Sequence, residues 1–135
     1  MTSAGHRALP HTADIRFEAW APTPDLCVAY AVQALVESFA QVPNGVHTQS
    51  QLVDLPIDSL DELLVSVLDE VVFLIDARGL VPVRSEVSTD GRVRFDLAPL
   101  DQAEIVGATP KAVTWHDLRF ERRDGGWWCA VTIDV

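Results

Sequence analysis

The chain has 135 residues, 48% of them apolar, with 20 acidic against 10 basic side chains and a formal net charge of −10. A length below the roughly 150 residues that serve as a soft prior for one domain predicts a single domain, 1–135, with one core, and excludes a multidomain machine. The acidic balance argues against direct, strong nucleic-acid binding, because phosphate recognition needs basic side chains to displace counterions. The nine arginines are scattered and Lys111 is the one lysine, so no polybasic membrane patch can be drawn.

Residues 1–9 carry neither an apolar leader segment nor a periodic pattern and are expected to be flexible. From His11 to Trp20, Ala13, Ile15, Phe17 and Ala19 alternate with Thr12, Asp14, Arg16 and Glu18, the period of a strand with one buried face. Thr23-Pro24-Asp25 predicts a helix start, with the threonine hydroxyl as cap, proline in the first turn and an acid at the positive end. The stripe Val28, Val32, Leu35, Phe39, Val42 carries that helix to about Gln41, and Pro43-Asn44-Gly45 stops it. A strand is expected around Val46 to Leu55. Ser59-Leu-Asp-Glu62 then has capping-box spacing and opens a second helix, with Leu60, Leu64, Val67, Val71 and Leu74 on one side and Arg78-Gly79 as its stop. Val81 to Ser88 and Arg92 to Leu97 flank Asp90-Gly91 as a hairpin. Lys111 to Arg122 and Trp127 to Val135 flank Asp124-Gly125-Gly126 as another, and broken alternation places a bulge at His116 or Asp117.

Strand, helix, strand, helix and two hairpins predict an α+β fold: a two-layer sandwich of a mainly antiparallel sheet with two helices on one face. The run from Ala98 to Pro110 is expected to be an irregular loop. Cys27 and Cys129, about a hundred residues apart in apolar surroundings, read as reduced core residues. No stretch approaches the roughly 20 apolar residues that span a bilayer, and a cytoplasmic protein is the simplest expectation.

No GxGxxG, P-loop, GxSxG or HExxH pattern is present. What remains is a set of acids at strand ends. Asp14 lies on the polar face of the first strand, and Asp134 on the last strand precedes the carboxylate of Val135. If those strands are neighbours, three carboxylates converge, and two like charges about 4 Å apart repel by roughly 4 kcal/mol at a surface-like dielectric. A divalent cation would relieve that repulsion, an all-oxygen donor set favouring calcium, magnesium or manganese over zinc. A raised pKa or simple separation in water are the alternatives. His11 is a candidate fourth ligand or base, and His116 is a candidate because bulges re-aim side chains. Lys111, the single lysine, suits a phosphate or carboxylate that wants a compact point charge. The tryptophans at 20, 115, 127 and 128 read as core and rim packing rather than a base-stacking platform.

Three segments taken together, His11-Thr-Ala-Asp-Ile15 with Glu18-Ala-Trp-Ala21, Lys111-Ala-Val-Thr-Trp-His116, and the ending Ile133-Asp-Val135, resemble the archease family nearly end to end. The second helix, with Leu63-Leu64 and Asp69-Glu70 through Leu74, is similar to that family's long central helix. The resemblance implies an accessory protein, not an enzyme, whose partner is an RtcB-type RNA ligase. Such a protein promotes guanylylation of the ligase by GTP and its repeated turnover in tRNA splicing and RNA repair. The resemblance also implies a divalent-cation site at Asp14, Asp134 and Val135, with calcium as the ion, and an activation role for Lys111 and His116 beside it. Leu97 to Glu104 departs from the Gly-Glu and histidine-containing pattern of many relatives. Two other classes compete: a small metal-dependent acid-base enzyme acting on a metabolite through Asp14, His116 and Lys111, and a metal-binding, chaperone-like interaction module.

Overall fold

A computed structural model describes residues 3–9 and 14–135. Its elements in chain order are β1 (Gly5–Leu9), β2 (Ile15–Ala21), α1 (Pro24–Glu37), β3 (Ala40–Gln41), β4 (Gln49–Asp54), α2 (Leu60–Arg78), β5 (Leu80–Val87), β6 (Arg92–Pro99), a 3-10 turn (Leu100–Gln102), β7 (Glu104–Ile105), β8 (Ala112–Arg123) and β9 (Gly126–Asp134). Every pairing among the described strands is antiparallel, so the α+β class read from the sequence holds.

The antiparallel strands form more than one sheet. The strands divide into a four-stranded sheet ordered β1-β2-β9-β8, a three-stranded sheet ordered β4-β6-β5, and the short pair β3-β7. Alternation specifies which face of a strand is buried and leaves open which edge it pairs with. The helices join the two larger sheets: α1 packs against β2 and β5, α2 against β8 and β5, and the helices touch each other. Their inner faces meet the sheets in one core that includes Phe17, Leu35, Leu64, Leu68, Phe95 and Ile133. At roughly 1.5–3 kcal/mol for each fully buried large apolar side chain, this core is the main favourable term in folding.

Residues 5–9, expected to be flexible, instead form an edge strand along β2, with Gly5 opposite Trp20 and Leu9 opposite Arg16. An edge strand needs only the unpaired backbone groups of its neighbour, and these leave no periodic trace in sequence. Ion pairs add to it: His6 Nε2 lies 3.0 Å from Glu37 Oε2, and Arg7 pairs with Glu18. Gly5 sits so close under Trp20 that an added Cβ would fall 2.6 Å from the indole Cζ2.

Helix α1 starts where expected, but Thr23 makes no side-chain cap, leaving Pro24 and Asp25 to carry the start. It also ends earlier than its stripe, at Glu37. The backbone beyond it is claimed by the segment expected to be an irregular loop: Val106 N–H donates to the Phe39 carbonyl at 2.8 Å, and Ala40-Gln41 pair with Glu104-Ile105. Phe39 stays buried although it has left the helix.

Helix α2 matches its signals. Ser59 Oγ accepts from Glu62 N–H at 3.1 Å, Glu62 Oε2 accepts from the N–H of Asp58 at 2.9 Å, and Gly79 closes the helix at φ 61, ψ 38. In the first hairpin, Asp90 Oδ1 accepts from Arg92 N–H at 3.0 Å. In the second, Asp124 and Gly125 both take positive φ (54° and 78°), the pair of values a two-residue type I′ turn needs.

Two outcomes are expected from these local contacts. Ser59→Ala should lower stability by about 1 kcal/mol in urea unfolding, through loss of the cap. The hydrogen bond from Arg92 N–H, with Ser88 beside it, holds the Asp90 carboxyl below its ordinary pKa. Its contribution is therefore present above the ordinary carboxylate value and is lost as pH falls through the folded value. Asp90→Asn should accordingly be less stable than the parent at neutral pH and converge with it at acidic pH.

Candidate functional site

Strand β2 pairs with β9 through Ile15 opposite Ile133, and β9 with β8 through Ala112 opposite Asp134. Continuing the first register by one step sets Asp14 across from Asp134. On the other side of β9, the backbone N–H of Lys111 donates to the Asp134 carbonyl at 2.8 Å. The start of β2, the end of β9 and the entry to β8 thus form one end of the four-stranded sheet, carrying Asp14, Asp134, Val135 and Lys111. Asp14 and Val135 are half-buried there, and Asp134 and Lys111 are exposed. His11 lies outside the described residues.

The expected bulge is present and larger than one residue. Thr114 pairs with Thr132 and Arg119 with Ala130, so the four residues Trp115 to Leu118 face the single residue Val131. Asp117 takes φ 56 there, a left-handed value that non-glycine residues seldom adopt. Arg16, which the sequence did not single out, holds this segment: one guanidinium nitrogen donates to Thr132 Oγ at 2.8 Å and the other to the Asp117 carbonyl at 2.9 Å. Thr114 Oγ accepts from the N–H of His116 at 3.0 Å. His116 itself projects outward, 81% exposed, with its Nε2 3.2 Å from Asp117 Oδ2. The period-two pattern does place Arg16 and Thr132 on polar faces, but the register that brings them together is absent from it.

As a metal site the sheet end offers two carboxylate side chains. Among the described residues no group of three or more His, Cys, Asp and Glu side chains gathers closely enough to hold an ion. The Asp14 and Asp134 carboxylates fit a hard, oxygen-seeking cation in donor type, and they leave much of its shell to other oxygens. A groove of about 850 Å³ between α1, residues 40–48 and β5 contains none of these residues.

The opposite end of the same polar face is closed. Glu18 is almost fully buried, and its carboxylate accepts from Trp128 Nε1 at 2.9 Å and pairs with Arg7. The guanidinium of Arg123 stacks 3.6 Å from the Trp128 ring centre. Trp20, Trp127 and Trp128 are half-buried rim residues, as expected, whereas Trp115 is 55% exposed. Cys27 and Cys129 are unbridged, fully buried and in contact. The neighbouring Cys27 thiol and burial push the Cys129 thiol well above its ordinary pKa.

The fold and this site define a small antiparallel α+β protein whose polar residues collect at an open sheet end rather than inside a cleft. No helix among the described residues is long and apolar enough to cross a membrane. The model of the archease protein family matches residues 6–135, and the chain belongs to that family. A "Probable protein archease" of Mycobacterium tuberculosis is 47% identical over 99% of this chain and 76% of its own length. The "Protein archease" of Methanopyrus kandleri is 28% identical over 94% of this chain and 96% of its own. The fold matches a crystal structure from Thermotoga maritima described as "an archease, possible chaperone", with TM-score 0.72 and 19% identity over 96% of each chain. It also matches the solution structure of protein 1598 of Methanobacterium thermoautotrophicum, with TM-score 0.73 and 22% identity over 97% of this chain and 99% of that one.

Arg16→Ala should remove two charge-assisted hydrogen bonds and lower stability by about 1.5–3 kcal/mol. Amide hydrogen exchange should locate the change, with protection falling around residues 114–119 and unchanged in α2.

Proposed function

We propose that this chain is an accessory protein that activates an RtcB-type RNA ligase in the cytoplasm and is not itself an enzyme. It promotes guanylylation of the ligase by GTP and its repeated turnover in tRNA splicing and RNA repair. The observation that carries this reading is the β2–β9–β8 register, which gathers Asp14, Asp134 and Lys111 at one open sheet end in a chain of the archease family. Asp14, Asp134 and Val135 would hold a divalent cation there, calcium first and magnesium or manganese next. When bound, the ion supplies positive charge that offsets the clustered carboxylates and is available to phosphate oxygens. Calcium takes about six to eight oxygen ligands, so a site this sparse leaves positions for water and for oxygens of a partner. Lys111, exposed just before the next strand, orients a phosphate or an acidic side chain of the ligase as a point charge. His116 and His11 flank the same end in the sequence motifs.

An open site suits a protein that works against a partner better than one that works alone. The enzyme alternative uses His116 as an acid–base group together with Asp14 and Lys111, and predicts turnover without any partner. The chaperone-like alternative has the support of the Thermotoga maritima description and predicts client binding without any effect on RNA joining.

The deciding experiment follows GTP-dependent guanylylation of a purified RtcB-type ligase, with this protein below one equivalent and divalent metal added. Stimulation by the parent chain is expected, with loss of at least about tenfold in Asp14→Ala and in Lys111→Ala, while circular dichroism and the unfolding midpoint stay unchanged. Full activity in both variants would remove the sheet end from the mechanism. Chelation followed by return of calcium, magnesium or manganese should abolish and then restore the effect.

A further inference from the structure

The bulge on β8 is a projection rather than a kink. Three surplus residues lift away from β9 between Thr114 and Arg119, where one would suffice to re-aim a side chain. Leu118 packs against the core, whereas Trp115 leaves 55% of its surface in water and His116 stands further out. The backbone is held in this shape at three points: Arg16 to Thr132, Arg16 to the Asp117 carbonyl, and the His116 N–H to Thr114 Oγ. Strain of the kind seen at Asp117 persists only where surrounding contacts over-determine it, and it concentrates at functional sites. A fixed projection also has little freedom left to lose on binding.

We propose that this projection is the docking element for the protein partner and that Trp115 is its affinity anchor, seated in an apolar socket bordered by basic groups. The inference rests on the ligase reading above and deepens it by naming the contact. Three features select the occupant. An indole offers large area with few torsions to freeze, which makes tryptophan prominent among the residues that dominate interface energy. The chain carries −10 overall, so a partner with a positive rim is drawn in and a second copy of this chain is repelled, while around the bulge and the sheet end Asp14, Asp117 and Asp134 stand beside Arg16 and Lys111. Finally, Trp115 shares β8 with the entry at Lys111, so one docking event presents the anchor and the acidic sheet end together. The other exposed large apolar side chains, Leu26 on α1, Leu52 on β4, Phe73 on α2, Val83 on β5, Ile105 on β7 and Val106 after it, are neither indoles nor on β8. Arg16 is a positioning residue that acts through the bulge.

The test measures binding of the purified ligase by calorimetry and its guanylylation in the same preparations, with the parent chain, Trp115→Ala, Trp115→Phe and Arg16→Ala. Trp115→Ala should keep the parent's unfolding midpoint, weaken binding about thirtyfold and raise the concentration for half-maximal stimulation by the same factor. Excess variant should restore the parent's maximal rate, and Trp115→Phe should lose less. Arg16→Ala should weaken binding although the indole is intact. If the parent binds and stimulates while Trp115→Ala matches it, the anchor is overturned and the ligase reading stands. A maximal rate that stays low at saturation places Trp115 in the activation step and also overturns the anchor. If the parent neither binds nor stimulates, both fall together. Self-association of the parent that Trp115→Ala abolishes makes a second copy the occupant and overturns the proposal.

Discussion

The antiparallel register of β2 on β9, with Ile15 opposite Ile133, is the constraint from which the rest of the molecule follows. It puts Phe17 against Val131 and Ala19 against Cys129 on the helix-covered side, and Arg16 against Thr132 on the other. A slip of one residue would exchange the two faces, exposing the apolar set and burying charge, so the register is specified by the whole hydrophobic core rather than by any one contact. The end of the sheet inherits that precision. Asp14 meets Asp134 because the strands have no other way to bury Phe17, Val131 and Ile133 together.

The helices make the platform stiff. Helix α1 lies against strands of both larger sheets and α2 packs onto α1, β5 and β8, so an element carrying the site cannot move without opening the core. Departures from regular structure then concentrate where packing does not forbid them. The β8 bulge sits at an exposed edge strand, is fixed by Arg16 and Thr132, and contains Asp117 in a left-handed conformation. The same polar face carries two opposite solutions to placing charge on a sheet. Glu18 is buried, paired with Arg7 and hydrogen-bonded by Trp128, whereas Asp14 is half-buried and Asp134 is exposed.

Much of this architecture was legible in order and type. Helix α2 showed its cap, its stripe and its terminal glycine, because those signals act over three or four residues. The two hairpins declared their turns for the same reason, and the bulge announced itself as a break in alternation. What the pattern missed was decided across long separations. Strand β1 exists because β2 has a free edge, and α1 stops at Glu37 because residues 104–107 take the backbone that would have continued it. The site divides in the same way. Asp14, Asp134 and Lys111 were singled out at strand ends and His116 at the suspected bulge, whereas the contacts of Arg16 and the exposure of Trp115 follow only from the register and the bulge.

The sequence by itself determined the α+β class, the sites of both helices, the antiparallel hairpins and the acidic character. These are local or compositional properties, set by periodicity, capping chemistry and charge. Only the tertiary structure decided that the strands form separate sheets, that Cys27 and Cys129 touch, that Glu18 is buried while Asp14 borders solvent, and that Arg16 holds an exposed tryptophan beside the acidic end. The physical reason is that edge pairing and side-chain contacts across a hundred residues depend on which packing buries the whole apolar surface at once, and no window along the chain contains that sum.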